Sequence, residues 1–268
     1  MLEIRAARKM FYRGQADEKT ALDGLDLHLA KGEFGVVIGT NGAGKSSLLN
    51  AICGALRLDS GQILVAGVDV TDQPVHQRAA RLARVFQDPM RGTAASMTVA
   101  ENMLLADLRG KPRTLRRGLT AARRDLYAQR LEVLGLGLEN RLNTRVDLLS
   151  GGQRQSLSLI MAVSSSPEIL LLDEHTAALD PRTADLVMSA TVRTVKTFAL
   201  TTLMVTHNMQ HAVDFGDSVI MMDAGRVRHH MTGAKKENVT VASLVDLFSV
   251  KSDHMLLASG QAQIQAHA

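Results

Sequence analysis

The chain has 268 residues, 46% of them apolar and 22% charged, with a net charge of +4. This suffices for one large domain with a buried core, and the mild charge singles out no class of partner. The 3% of aromatic residues, with no tryptophan, argue against a stacking platform for single-stranded nucleic acid. The single cysteine, Cys53, excludes an intrachain disulfide, argues against a cysteine zinc site and fits a reducing cytoplasm.

No apolar run approaches the roughly 18–20 residues of a membrane span, and the stretch from Met1 to Met10 is too charged for a secretory leader. In chain order, Leu25, Leu27 and Leu29 alternate with polar or small residues and predict a half-buried strand. Phe34–Ile38 is a short apolar run, predicted as a central strand. A glycine-rich loop follows, then a helix over Ser47–Cys53. Gly61–Val65 reads as a strand. Asp72–Leu82 reads as a helix with Pro74 in its first turn, and Ala83–Phe86 as another strand. From Met90 to Val146 the pattern turns helical. Thr98 and Glu101 have capping-box spacing, and Thr120–Leu134 is helical in period and closed by Gly135. This block reads as a helical subdomain inserted into an α/β core. Arg109–Arg124 carries seven basic residues and no acidic one, which suits a solvated face or an anionic surface.

The core pattern then resumes. Helices are expected over Gly152–Ser164, Ala184–Ala199, Asn208–Phe215 and Thr240–Phe248. Strands are expected at Ile169–Leu172, Thr202–Val205, Ser218–Met222 and Arg226–Met231. Alternating strands and helices imply a parallel sheet. From Lys251 the pattern fades and residues 258–268 have no periodicity, so 251–268 is expected to form a flexible tail.

Gly39-Thr40-Asn41-Gly42-Ala43-Gly44-Lys45-Ser46 matches G-x-x-x-x-G-K-[ST] in full, with Ser47 opening the next helix. Glycines let the backbone curl so that several N–H groups point inward. The helix behind presents its positive end to the same spot. Lys45 can reach the β- and γ-phosphates of a nucleoside triphosphate, and the Ser46 hydroxyl can ligate Mg²⁺. The apolar run Ile169–Leu172 ends in Asp173 and Glu174. Strand ends of this kind face the ligand in an open parallel sheet. Asp173 is placed to hold Mg²⁺, and Glu174 to orient and polarise an attacking water.

Leu149-Ser150-Gly151-Gly152-Gln153, about 20 residues before the acidic strand end, resembles the signature of the ATP-binding-cassette (ABC) ATPases. The resemblance runs from about Leu2 to Phe248. Gln87 looks like the family's Q-loop glutamine, Ala178-Leu179-Asp180 its D-loop and His207 its switch histidine. It implies an α/β fold: a P-loop NTPase core with a mostly parallel sheet, an N-terminal antiparallel β subdomain and an inserted helical subdomain at about 90–146, in an ATPase domain of 1–250. It also implies ATP and Mg²⁺ as ligands, with Ser46, Gln87 and Asp173 at the metal and Glu174, His207, Gln87 and Lys45 in catalysis. Ser150, Gly151, Gly152 and Gln153 would face the γ-phosphate of ATP held by a second subunit, with Asp180 acting across that interface. The second subunit is a copy of this chain or a paralogous cassette. Adenine would stack on Phe11 or on its neighbour Tyr12. His175 departs from the family, where proline is common; it could sit near the site or cap a turn.

The resemblance further implies membrane subunits, a solute-binding protein as indirect partner and a place on the cytoplasmic face of the inner membrane. Residues near Gln87 and the Met90–Leu105 segment would receive the membrane subunit, with Met90, Met97 and Met103 either in that contact or in the local core. The branch it resembles is the bacterial importer type that serves branched-chain or aromatic amino-acid permeases. Two other readings are an exporter or lipid-extruding ATPase, and a soluble ABC ATPase acting on DNA or ribosomes. The chain lacks the coiled-coil insertions, zinc cysteines and fused second cassette of that last group, so no nucleic-acid partner is expected.

Overall fold

The computed structural model describes residues 1–109, 111 and 118–248. Part of the basic run Arg109–Arg124 and all of the tail 251–268 lie outside them.

Strands β1 (Leu2–Phe11), β2 (Lys19–Leu29), β4 (Ser60–Val65) and β5 (Val68–Asp69) form an antiparallel sheet in the order β2-β1-β4-β5. The second sheet holds β3 (Phe34–Gly39), β6 (Leu82–Val85), β7 (Ile169–Asp173), β8 (Thr201–Val205), β9 (Ser218–Asp223) and β10 (Arg226–Thr232) in the order β10-β9-β3-β8-β7-β6. All neighbours in it pair parallel except the hairpin β9–β10. The helices are α1 (Lys45–Cys53), α2 (Val75–Arg78), α3 (Val99–Asp107), α4 (Ala121–Glu132), α5 (Gly151–Val163), α6 (Pro181–Thr197), α7 (Met209–Phe215) and α8 (Ala234–Glu237). Residues 241–248 are also helical.

The parallel strands are buried on both faces, and alternation assigns each residue to one of two cores. Val36, Ile38, Leu170, Leu172 and Met204 join a core with α5, α6 and the helical block; Val37, Ile169, Leu171, Leu203 and Val205 join one with α1 and the antiparallel sheet. The helical block packs through Val99, Met103, Tyr127, Leu131 and Leu134, all fully buried. The capping box forms as the spacing requires: Glu101 N–H donates to Thr98 Oγ1, and Thr98 N–H to Glu101 Oε2. Buried Asn102 clamps the approach to α3. Its Oδ1 accepts from Ala94 N–H at 2.7 Å, and its Nδ2 donates to the Ala94 and Thr98 carbonyls at 3.0 Å each.

Two elements depart from the expectations. The helix predicted over Asp72–Leu82 is one turn, Val75–Arg78, with Pro74 before it as the cap. The chain must straighten by Leu82 to pair with Ile169 of β7. Strand β1, for which the sequence offered no clean signal, is interrupted by a left-handed Ala6 and register shifts around it, so its period of two is broken.

Arg78 explains the turn's position. Its guanidinium is buried and donates to four carbonyls: Ala51 at 2.6 Å, Ile52 at 2.8 Å, Thr71 at 2.7 Å and Gln73 at 2.8 Å. It therefore closes the C-terminal end of α1, where the free carbonyls attract a cation. Arg78→Met should lower stability by about 3 kcal/mol, the cost of leaving such carbonyls unpaired. Urea unfolding checks this; a loss below about 1 kcal/mol would show that water reaches them instead.

Candidate active site

Four parallel strands deliver their carboxyl ends to one edge of the sheet: β3 runs into the glycine loop, β6 into Gln87, β7 into Asp173 and Glu174, and β8 into His207. Between them lies an open cleft of about 400 Å³ that includes Phe11, Lys19, Lys45, Ser46, Gln87, Asp173, Glu174 and His207 in its lining.

One end of the cleft suits an anion. Helix α1 starts behind Gly44, which is left-handed at φ 100°, and no side chain caps its first turn. Those N–H groups have no intrahelical acceptor and point outward into the loop. A Cβ on Gly44 would lie 2.4 Å from the Ala21 carbonyl, and one on Gly39 2.5 Å from that of Met222, so the loop admits no side chain at either place. Asn41, Gly42, Ala43, Gly44, Lys45, Ser46 and Ser47 all line the cleft. Lys45 Nζ turns back onto the Gly39 carbonyl at 2.7 Å and that of Thr40 at 3.0 Å. Burial lowers the Lys45 pKa, and the Glu174 charge opposes that.

The other end is acidic. Glu174 Oε1 lies 2.6 Å from His207 Nε2. The Glu174 backbone is left-handed at φ 46°, strained for a residue with a side chain, and its N–H is fixed to the Val205 carbonyl at 3.0 Å. Asp173 Oδ2 accepts from Arg84 at 2.6 Å. Gln87 is exposed, and the Phe86 carbonyl before it is held by Gln155 of α5 at 3.0 Å.

Phe11 lines the cleft, whereas Tyr12 is 64% exposed and does not. Lys19 and Ala21 were not legible as site residues. They arrive only because β2 folds back on β1, pairing Phe11 with Lys19.

Ser150, Gly151, Gly152, Gln153 and Asp180 do not line this cleft. Ser150 caps α5 by accepting from Gln153 N–H, and the Gln153 side chain accepts from Ser150 N–H. Asp180 caps α6, and hydrogen bonds from the Thr183 side chain and backbone hold its carboxyl below the usual range. The two caps meet: a Cβ on Gly152 would lie 2.4 Å from Thr183 Cγ2, and one on Gly151 3.2 Å from Leu179. Of the three methionines, Met90 is exposed, Met97 is half-buried and Met103 lies in the core.

The loop, the uncapped helix end and the two acids at the end of β7 define a P-loop nucleoside triphosphatase. The family description that matches, over residues 22–177, is ABC transporter. The chain is 44% identical over 248 residues to a tyrosine transport ATP-binding protein of Clostridioides difficile, covering 92% of this chain and 98% of that protein. It is 35% identical to the methionine import ATP-binding protein MetN of Streptomyces coelicolor, spanning 81% of this chain but only 61% of that longer protein. Among solved structures, the dimeric bacterial ABC transporter cassette MJ0796 matches with a TM-score of 0.72 at 27% identity, covering 87% of this chain and 98% of that one. The ADP conformation of the cassette MJ1267 matches in fold with a TM-score of 0.76 at 24% identity, covering 92% and 98%. This chain belongs to the ABC transporter family and is an ATP-binding, ATP-hydrolysing cassette.

His175 follows Glu174 in the chain but does not line the cleft. It points away from the cleft, 2% exposed, with Nε2 at 3.0 Å from Thr191 Oγ1 of α6. Burial, helped by nearby His211, lowers its pKa to about 3. In the unfolded chain a histidine titrates near ~6.5. Between those values only the unfolded chain takes up the proton, so stability falls as pH drops from about 6.5 towards 3. The slope from this group is at most about 1.4 kcal/mol per pH unit. His175→Asn should lose less stability on acidification than the wild type, measured by urea unfolding at several pH values. Equal losses would place the proton uptake elsewhere.

Proposed function

We propose that this chain powers the uptake of a small solute of the amino-acid class, as a paired ATPase bound to separate membrane subunits. The observation that carries the reading is the division of its motifs between two faces. The phosphate loop, Asp173, Glu174 and His207 share one cleft, while the α5 end at Ser150–Gln153 sits outside it. The Ser150 end is a second anion-binding helix terminus with no triphosphate of its own chain to serve. A head-to-tail partner, either a second copy or a paralogous cassette, gives it one. The tyrosine and methionine transport functions named for the relatives support the cargo class. Among the described residues no helix is long and apolar enough to cross a membrane. Work on a transported solute therefore calls for permease subunits, with a solute-binding protein as an indirect partner. The place of action is the cytoplasmic face of the inner membrane.

In this reading the triphosphate lies along the α1 end, with Lys45 released from the Gly39 and Thr40 carbonyls onto the β- and γ-oxygens. Phe11 offers its ring to adenine. Ser46, Asp173 and Gln87 fit Mg²⁺, since a hydroxyl, a carboxylate and an amide oxygen border the same cleft as the anion site. The ion, when bound, supplies positive charge to the phosphate oxygens. Glu174 takes the proton of the attacking water or orients that water, and His207 holds the Glu174 carboxylate while reaching towards the γ-phosphate. Asp180 and the α5 end complete the partner's site. Gln87 reports occupancy to the helical block, and the exposed Met90 and Leu105 near it belong to the surface that receives the permease.

Glu174→Gln should cut hydrolysis by about 10²-fold or more while ATP still binds, and should accumulate an ATP-dependent dimer. ATPase rates and size-exclusion chromatography test both. Normal hydrolysis, or a monomer in saturating ATP, would contradict the assignment. Copurification should bring down a polytopic membrane protein; ribosomes or DNA in its place would refute the transport reading.

Phe11→Ala should weaken ATP binding by 0.5–1.5 kcal/mol, roughly the value of an aromatic stack, with Tyr12→Ala near neutral. Titration with a fluorescent ATP derivative decides between the two rings.

A further inference from the structure

Arg84 has no place in the family motifs, and the mechanism above does not use it. It lies on β6, where its backbone pairs with Leu171 of β7. Its side chain runs up the sheet to the carboxyl ends and divides there. One arm, NH2, donates to Asp173 Oδ2 at 2.6 Å, and the other, NH1, donates to Asn50 Oδ1 of α1 at 2.7 Å. The ion pair is mostly shielded, with Arg84 and Asp173 side chains 14% and 19% exposed. The guanidinium also rests on the Phe86 ring, 4.9 Å from its centroid. One planar group thus ties three elements together: the helix that follows the phosphate loop, the strand before Gln87 and the strand that ends in Asp173.

The geometry has a chemical consequence. A carboxylate that meets a cation at a strand end can rotate about its Cβ–Cγ bond. Binding one oxygen to a rigid fork removes that freedom and leaves the other oxygen for the cleft. Asp173 Oδ2 is taken by Arg84, and the residue still lines the cleft. The positive charge also offsets the adjacent carboxylates of Asp173 and Glu174, which repel one another. Groups that orient a metal's carboxylate in this way typically change metal affinity by about 10–100-fold when removed.

Arg84 belongs to a second cavity too. A hollow of about 540 Å³ on the other side of the fork is lined by Arg84, Phe86, Arg91, Cys53 and Asn50 among others. Burial pushes the Cys53 thiol up, and the Arg84 charge opposes the shift. Arg84 thus lines the hollow and contacts Asp173, which lines the ATP cleft.

We infer that Arg84 is a positioning residue: it fixes Asp173 in the orientation that receives Mg²⁺ and ties that orientation to α1 through Asn50. The inference rests on the reading of Asp173 as the metal's carboxylate. The test is the Mg²⁺ dependence of equilibrium ATP binding by the full chain, read with a fluorescent ATP derivative and without turnover. Arg84→Met keeps an unbranched apolar stem and removes the fork together with its contact on Phe86. It should raise the Mg²⁺ concentration at half-saturation about tenfold, with metal-free nucleotide binding unchanged. Arg84→Lys can serve one acceptor but not both, and should recover part of the shift. Asn50→Leu, which leaves Arg84 and Asp173 in place, should move the curve the same way by a smaller factor, and it decides the matter if Arg84→Met fails to fold. An unmoved Mg²⁺ curve in Arg84→Met, or in Asn50→Leu in that event, overturns the role. So does an equal loss of binding with and without Mg²⁺, which would mark a general structural defect. Asp173→Asn separates the two layers: if it shifts the curve and Arg84→Met does not, only the role of Arg84 falls; if neither shifts it, the reading of Asp173 falls as well.

Discussion

Parallel pairing of β3 with β8, β8 with β7 and β7 with β6 is what the site depends on. Parallel strands end at the same edge, so each contributes whatever follows its last residue. The register then sets distances. Leu172 lies beside Met204 and Asp173 beside Val205, which brings Glu174 to the Val205 carbonyl and its side chain to His207 at 2.6 Å. A slip of one residue in β7 would turn Leu170 and Leu172 from one core to the other and carry both acids out of reach. Burial on both faces makes such a slip costly, and the apolar core thereby fixes the positions of charged groups at the edge.

Close packing constrains the starts of α1 and α5 in different ways. At α1 the loop must curl against Ala21 and Met222, and only glycine fits at Gly44 and Gly39. At α5 the constraint is a neighbour: Gly152 lets α6 approach so closely that Thr183 would overlap any Cβ. The first keeps N–H groups free for phosphate within one chain. The second holds the capped start of α5, at Ser150, against the capped start of α6, at Asp180.

Three charged side chains of the cleft rest on polar partners. Lys45 rests on backbone carbonyls, Asp173 on Arg84 and Glu174 on His207. In the proposed reaction only the Lys45 contact gives way to ligand; the contacts to Asp173 and Glu174 hold those carboxylates in place. Arg78 illustrates the contrary case: it is buried with four carbonyls as acceptors, none of which leads to the cleft, and its work is structural.

Gln87, the Ser150–Gln153 run, Asp180 and His207 were legible in the sequence only through the family resemblance, whereas the phosphate loop and the acidic strand end were legible because each is a short run whose chemistry is local. The central strands and longer helices were legible for the same reason: their periodicity is written within a few residues. Strand β1 was not, because a bulge at Ala6 breaks the alternation. Lys19 and Arg84 were not, because nothing near them in the chain marks them. Lys19 reaches the cleft through pairing with Phe11, and Arg84 meets Asp173 across 89 residues of sequence. Which of Phe11 and Tyr12 lines the cleft, and the direction of His175, were also open until the chain was folded. The sequence determined which chemical groups are present and which local turns they ride on. Only tertiary structure decided which of them meet, since a contact between distant residues depends on strand order, register and the face to which each side chain is turned.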